Sequence, residues 1–339
     1  MPTENVTKTF TATTQGLVNP DVVTFFLTFN LTICGNVLGI LGILGNVVSL
    51  ANFLKDGVQD SVSITLSALV FSDIGALFTQ MFINVLISPF WNNIDHPFYT
   101  FSIVSALLLY PREYFIRVSG IITVFATFER CLCVIIPFRV KRIITRDVAI
   151  IVNMCIFLVT FLYLFPPYFV TYLDWREDAR KNKSLIVLVY RDNAESVLKV
   201  SYMVTDLFLP YCTFFVLIVC NTVIVVTLKS KSKWRQSVTK SSEKQEISTK
   251  EKKLVVMLVT VSTIFIGCLF PQSAMLTAVG VVRELKLNGL YFDVSLLVYS
   301  FTFLLETINC SVNIIVYYNM SSKFREGLQE WFPCLNPKS

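Results

Sequence analysis

Residues 101–135 read FSIVSALLLYPREYFIRVSGIITVFATFERCLCVI. A helix needs roughly 20 apolar residues to cross a hydrocarbon core of about 30 Å, and this stretch exceeds that length. Its charges fall in two places only: Arg112, Glu113 and Arg117 toward one end, and Glu129-Arg130 at the other. Charged groups inside an apolar span are costly and mark function or internal pairing. Such a segment belongs in a bilayer. Working outward from it, further apolar blocks lie at about 24–52, 61–88, 148–170, 199–228, 252–282 and 290–317, with polar connectors between them. The 339-residue chain is 54% hydrophobic and 15% charged, with mean hydropathy +0.63. No soluble fold keeps that much apolar surface in water.

The sequence therefore predicts an all-α membrane protein, a seven-transmembrane helix bundle with a short amphipathic C-terminal helix. Residues 1–23 form an extracellular tail, 24–317 the bundle, and 318–339 the amphipathic helix and cytoplasmic tail. The Thr-rich start lacks the cationic region and cleavage site of a signal peptide, so the first block stays as a span. With the N-terminus outside, seventeen Lys and Arg fall on the inner side and nine on the outer, as the positive-inside rule requires. This predicts a multi-pass plasma-membrane protein with an extracellular N-terminus and a cytoplasmic C-terminus. The sequons at Asn5 and Asn182 then face outward as glycosylation sites, whereas Asn30-Leu31-Thr32 lies inside a span. The inner segment Lys229–Lys253, rich in Lys, Ser and Glu, is expected to be mobile at its centre. Pro111, Pro166, Pro210 and Pro271 are expected to kink their spans.

Eight of the nine cysteines sit in apolar blocks, so no outer-loop disulfide framework is available. Cys334 follows Phe324, Leu328, Trp331 and Phe332, which fall at helical spacing among polar residues. This fits a helix on the inner leaflet, in contact with membrane lipid, with Cys334 either palmitoylated or a free thiol. A nucleic-acid binder is excluded, because the +6 net charge comes from dispersed loops rather than one basic face. An enzyme is excluded too: the single His96 lies in an outer loop, and no nucleophile stands beside a base.

Polar residues within the spans form three tiers. In the middle are Asp73, Asn46, Ser119, Asn309 and Asn313, which read either as a site for a small hydrated cation or a proton and water network, or as scattered helix polarity. At the inner end Arg130 needs a carboxylate. Glu251, at the base of span six, would pin two helices by pairing with it, unless the arginine snorkels to the surface. At the outer end are Arg112, Glu113, Arg117, Asp206 and Glu306. Adjacent Arg112 and Glu113 are not expected to share a helix face, so pairing should run between helices. Either the arginines face an outward cavity and receive a carboxylate or other anionic ligand group, or the five residues form a structural ion network.

Several ordered motifs together resemble the rhodopsin-like (class A) family of G-protein-coupled receptors across about residues 24–332. They are Gly45-Asn46-Val47-Val48 in span one, Leu66-Ser67-Ala68-Leu69-Val70-Phe71-Ser72-Asp73 in span two, Glu129-Arg130-Cys131 and then Pro137-Phe138 after span three, Pro210 in span five, Phe265-Ile266-Gly267-Cys268-Leu269-Phe270-Pro271 in span six, and Asn313-Ile314-Ile315-Val316-Tyr317 in span seven. The resemblance implies a receptor that binds an extracellular ligand, a peptide or a small anionic or zwitterionic molecule, and activates a heterotrimeric G protein. It implies a ligand pocket near Arg112, Arg117, Asp206 and Glu306, and a sodium site at Asp73, Ser119, Asn309 and Asn313, with that allosteric sodium ion as the only cofactor. It implies an activation switch built on Glu129, Arg130, Glu251, Phe265, Pro271 and Tyr317, and a G-protein contact at Arg130 and Phe138.

The chain departs from the family pattern at several positions. Ser105 stands in place of the span-three cysteine, Leu269 in place of the span-six tryptophan, Ile314 in place of the span-seven proline, and Cys310 in place of a serine beside the sodium site. Arg112 stands where amine receptors carry an aspartate, which argues against an amine ligand. The run from Glu306 to Arg325 resembles molluscan chemosensory-type receptors, with a neuropeptide receptor of the same fold as the close rival. A secondary transporter is the rival of a different class, but no internal repeat is visible.

Overall fold

A computed structural model describes residues 17–55, 57, 60–92, 94–178, 183–238, 243–286 and 289–331. Among them, seven helices are long and apolar enough to cross a membrane: span one Pro20–Lys55, two Ser61–Ile87, three Thr100–Ile135, four Arg146–Val170, five Ala194–Ser230, six Val255–Val281 and seven Phe292–Asn319. Span one starts a few residues before its apolar block. The Asn19 side chain accepts from the Asp21 amide at 2.9 Å and Pro20 opens the first turn, a strong start signal. The end of the bundle that carries Pro20 is the outer end under the charge-based orientation.

The bundle is built with its polarity inside. Ile151, Met154, Leu158, Phe161 and Phe215 are about half or more exposed, while Asn46, Ser49, Ser72, Asp73, Thr127 and Asn84 are essentially inaccessible. In lipid an outward leucine costs nothing, whereas an outward amide or carboxylate lacks partners, so the helices turn polar stripes toward each other. Toward the inner end, Phe53, Leu69, Val118, Ile122, Met257, Val261 and Tyr317 close an apolar core shared by spans one, two, three, six and seven.

The four prolines sit in their spans in different ways. Pro111 and Pro210 each follow a π-helical turn, at Val104–Leu109 and Met203–Phe208. A proline ring collides with the carbonyl four residues back, here Leu107 and Asp206, and the widened turn takes up that collision. At Pro166 the helix ends at Leu164 and a short one restarts over Pro166–Val170. Pro271 remains inside an unbroken helix running Glu243–Val281.

Two features were not fixed by the sequence reading, and the centre of the Lys229–Lys253 segment, expected to be mobile, lies outside the described residues. The segment after span four is a β-hairpin, β1 Thr171–Asp178 paired antiparallel with β2 Lys183–Tyr190. Backbone hydrogen bonds seat it on the outer end of span three: the Ile186 amide donates to the Pro97 carbonyl at 2.9 Å, and the Tyr99 amide to the Ile186 carbonyl at 3.0 Å. Lys183 pairs with Asp95 alongside. These bonds anchor the loop where Ser105 removes the cysteine tether, and the Ser105 hydroxyl is itself buried without a partner. The basic segment between spans five and six is also helical for most of its length, since helices Leu209–Val238 and Glu243–Val281 run into it from both sides.

The closing helix Ser322–Trp331 is amphipathic as expected. Phe324 and Leu328, one turn apart, are buried against Phe53 and Tyr317, with ring centroids 5.4 and 5.7 Å from Phe324. Its apolar face thus docks on the bundle, while Trp331 stays exposed beside Lys55. Phe332 and Cys334 lie outside the described residues, as do Asn5 and Asn182.

Candidate functional site

The outer charges assemble into one chain of ion pairs. Arg112, only 1% exposed, donates through Nε to Gln80, through Nη1 to Glu113 at 2.6 Å and through Nη2 to Glu306. The Arg117 Nη2 donates to the second Glu113 oxygen at 2.9 Å and to the Asp206 Oδ1 at 3.1 Å. Phe303 lies under the Arg112 guanidinium at 4.2 Å, adding cation–π attraction where water is excluded. Charges alternate along the series Glu306, Arg112, Glu113, Arg117, Asp206, and it ties spans seven, three and five together, with Gln80 adding span two.

This geometry corrects one expectation. Arg112 and Glu113 do pair although they are sequence neighbours, because the long arginine side chain reaches across its own helix face. It also shows that both guanidinium groups are already matched by the chain's own carboxylates; only the Arg117 Nε is buried without a partner. The arginines expected to receive an anion are therefore occupied.

Two turns further in lies the middle tier. Asp73 is fully buried. Its Oδ1 accepts from the Ser119 hydroxyl at 2.9 Å and its Oδ2 from the Asn313 amide at 2.7 Å, and the Cys310 thiol lies near it. The Asn46 amide donates to the Cys310 carbonyl at 2.8 Å, which leaves its own Oδ1 buried and unpaired. Asn309 is buried next to Cys310. A carboxylate, a hydroxyl and an unpaired amide oxygen are hard donors, so these residues fit a small alkali cation better than a thiophilic metal.

At the inner end Arg130 donates to Glu129 at 2.6 Å, and the Ser61 hydroxyl donates to the same carboxylate oxygen at 2.7 Å. The expected partner Glu251 and the docking residue Phe138 have side chains outside the described residues. Phe265 and Leu269 are buried in a second apolar cluster with Phe214 and Cys310. Tyr317 is fully buried, and its hydroxyl has no partner.

Sequence reasoning passed over Gln80 and Phe303. Gln80 was signalled, since Asp73, Gln80 and Asn84 recur at helical spacing on one face of span two. Phe303 was not, because nothing in the sequence separates a phenylalanine under a guanidinium from one facing lipid.

Comparison with known proteins supplies the family. The family model described as 7 transmembrane receptor (rhodopsin family) matches residues 45–317. A curated relative, the FMRFamide receptor of Drosophila melanogaster, is 24% identical over 312 residues, covering 86% of this chain and 52% of the relative. The chain thus spans about half the length of the curated relative it matches. With seven apolar helices enclosing the matched residues, the chain belongs to the rhodopsin family of seven-transmembrane receptors, a non-enzymatic receptor class.

Proposed function

We propose that the chain is a plasma-membrane receptor for an extracellular peptide and activates a heterotrimeric G protein. The observation that carries this reading is the buried alternating ion network of the outer half, which joins four spans through side chains rather than backbone. A ligand group that changes one pairing changes the helix contacts on either side of it. Because a ligand acts through its differential affinity for two arrangements, a few kcal/mol redistributes the population. Peptide recognition is supported by the likeness to an FMRFamide receptor. The molluscan chemosensory reading is favoured by the run Glu306–Arg325 alone.

At the inner end Arg130, held by Glu129, is the group that would exchange an intramolecular acid, Glu251 among them, for a docking G protein, with Phe138 as an apolar contact. Phe265, Pro271 and Tyr317 would carry the movement between the two ends. Asp73 and Ser119 would hold a sodium ion, with Asn309 and Asn313 beside them, and the ion would supply a positive charge that favours the ionised carboxylate. The closing helix and Cys334 would sit against membrane lipid.

Membranes containing the full chain and a G protein, challenged with a panel of amidated peptides including Phe-Met-Arg-Phe-amide and with small odorant-like acids, test the reading. Dose-dependent GTP exchange with a peptide and no substrate flux supports it. Exchange driven only by small acids would select the chemosensory reading, and substrate flux without exchange a transporter.

A further inference from the structure

The ion network is unbalanced. Three carboxylates, Glu306, Glu113 and Asp206, face two guanidinium groups, Arg112 and Arg117, and the series begins and ends on an acid. With every group ionised the cluster carries one excess negative charge in a region shielded from water, where uncompensated charge is expensive. An incoming anion would double that excess; an incoming cation would cancel it.

The geometry also says at which end. Both oxygens of Glu113 are taken by arginines. Glu306 is almost closed off, with 6% of its side chain exposed. Asp206 is 22% exposed and holds its arginine by a single contact of 3.1 Å, the longest in the series. It sits on the π-helical turn before Pro210. Four half-buried tyrosines from four spans stand within electrostatic reach of its carboxylate: Tyr110 on span three, Tyr163 on span four, Tyr202 on span five and Tyr299 on span seven. Three of these side chains have further partners. Tyr110 leans on Tyr168 at 5.2 Å, Tyr299 on Phe303 at 5.9 Å, and the Tyr202 hydroxyl donates to the Leu276 carbonyl. A partly exposed carboxylate with several tyrosines near it is the chemistry that selects an organic cation.

We propose that Asp206, with Tyr110, Tyr202 and Tyr299, is a receiving site for a guanidinium or ammonium group of the ligand, which completes the alternation Glu306, Arg112, Glu113, Arg117, Asp206 with a sixth, positive member. The inference rests on the receptor reading and sharpens it: the ligand is a peptide with a basic side chain or a free amino terminus. It replaces the anionic ligand suggested by the arginines alone.

The test uses the purified full chain in lipid nanodiscs, with phenethylguanidinium as probe and neutral phenethylurea as its uncharged counterpart, followed by thermal melting. A saturable rise in melting temperature with the guanidinium and none with the urea is expected. Asp206→Asn should weaken the apparent affinity by about tenfold or more. Should that variant fail to fold, Tyr299→Leu, which removes a ring and no charge, should still weaken it several-fold. No saturable rise in the wild-type chain, or an equal rise with the urea, overturns the proposal, as does an affinity unchanged in both variants. Peptide-driven GTP exchange bears on the receptor reading alone. Exchange without an Asp206-dependent cation site would retain the receptor and remove the site, and the opposite pair of results would do the reverse.

Discussion

Arg112 is among the largest side chains with no meaningful access to solvent, and its charge is tolerated because each of its three nitrogens donates to an acceptor. Breaking a buried pair by removing one partner costs about 3–5 kcal/mol, whereas removing both charges costs less. Glu306→Leu is therefore expected to lower the melting temperature of the purified chain sharply, and adding Arg112→Met to recover part of the loss. A double variant no more stable than Glu306→Leu alone would show that the guanidinium is satisfied without Glu306. Asp73 poses a different question, because its oxygens already accept from Ser119 and Asn313. If a sodium ion binds there, exchanging sodium for N-methylglucamine chloride should lower the melting point of the wild type and leave Asp73→Asn unmoved. At this scale the sequence displayed the charged residues but not their pairing. Arg112 has Glu113 beside it in the chain and Glu306 far from it, and only packing decides that it takes both.

The elements carry their own tests. Gly120 on span three faces Phe265 on span six, and a β-carbon there would stand 2.8 Å from the tip of that ring. Gly120→Val should force the phenylalanine out of place at a cost of about 1–3 kcal/mol, and Phe265→Leu in the same chain should relieve part of it. The hairpin depends on Ile186, whose amide and carbonyl both bond to the segment before span three. Ile186→Pro removes the donor, and faster amide hydrogen exchange along β1 and β2 is the expected outcome. On the inner side, Lys55 lies 2.7 Å from Glu330 and holds its carboxyl below the ordinary carboxylate value. A depressed value means the tie is intact at neutral pH and opens only as pH falls through it; both partners are exposed, so high salt should weaken it as well. Span number and rough limits were legible here because apolar length is a one-dimensional property. The hairpin was not: Lys183–Tyr190 is a short run rich in Val, Ile and Leu, and its strand form depends on a partner and on a seat against Pro97 and Tyr99.

The whole molecule places polar groups in every layer between the two faces: the outer ion network, the Asp73 cluster and the Arg130 pair. Its orientation is open to direct measurement. With the N-terminus outside, Asn5 and Asn182 should both accept glycan, so Asn5→Gln and Asn182→Gln should each shift the apparent mass and together abolish sensitivity to peptide N-glycosidase. Sugar on neither site would count against that topology. Composition and periodicity alone determined that the chain lives in a membrane and crosses it with seven helices, because burial in lipid is dictated by the length and apolarity of local segments; the resemblance to the rhodopsin-like receptors came from its ordered motifs. Only the tertiary structure decided how the charges in the outer half pair. Pairing between residues distant in sequence depends on where the helices meet, and counting charges in the assembled cluster turned two arginines that suggested an anion into a site one positive group short of neutral.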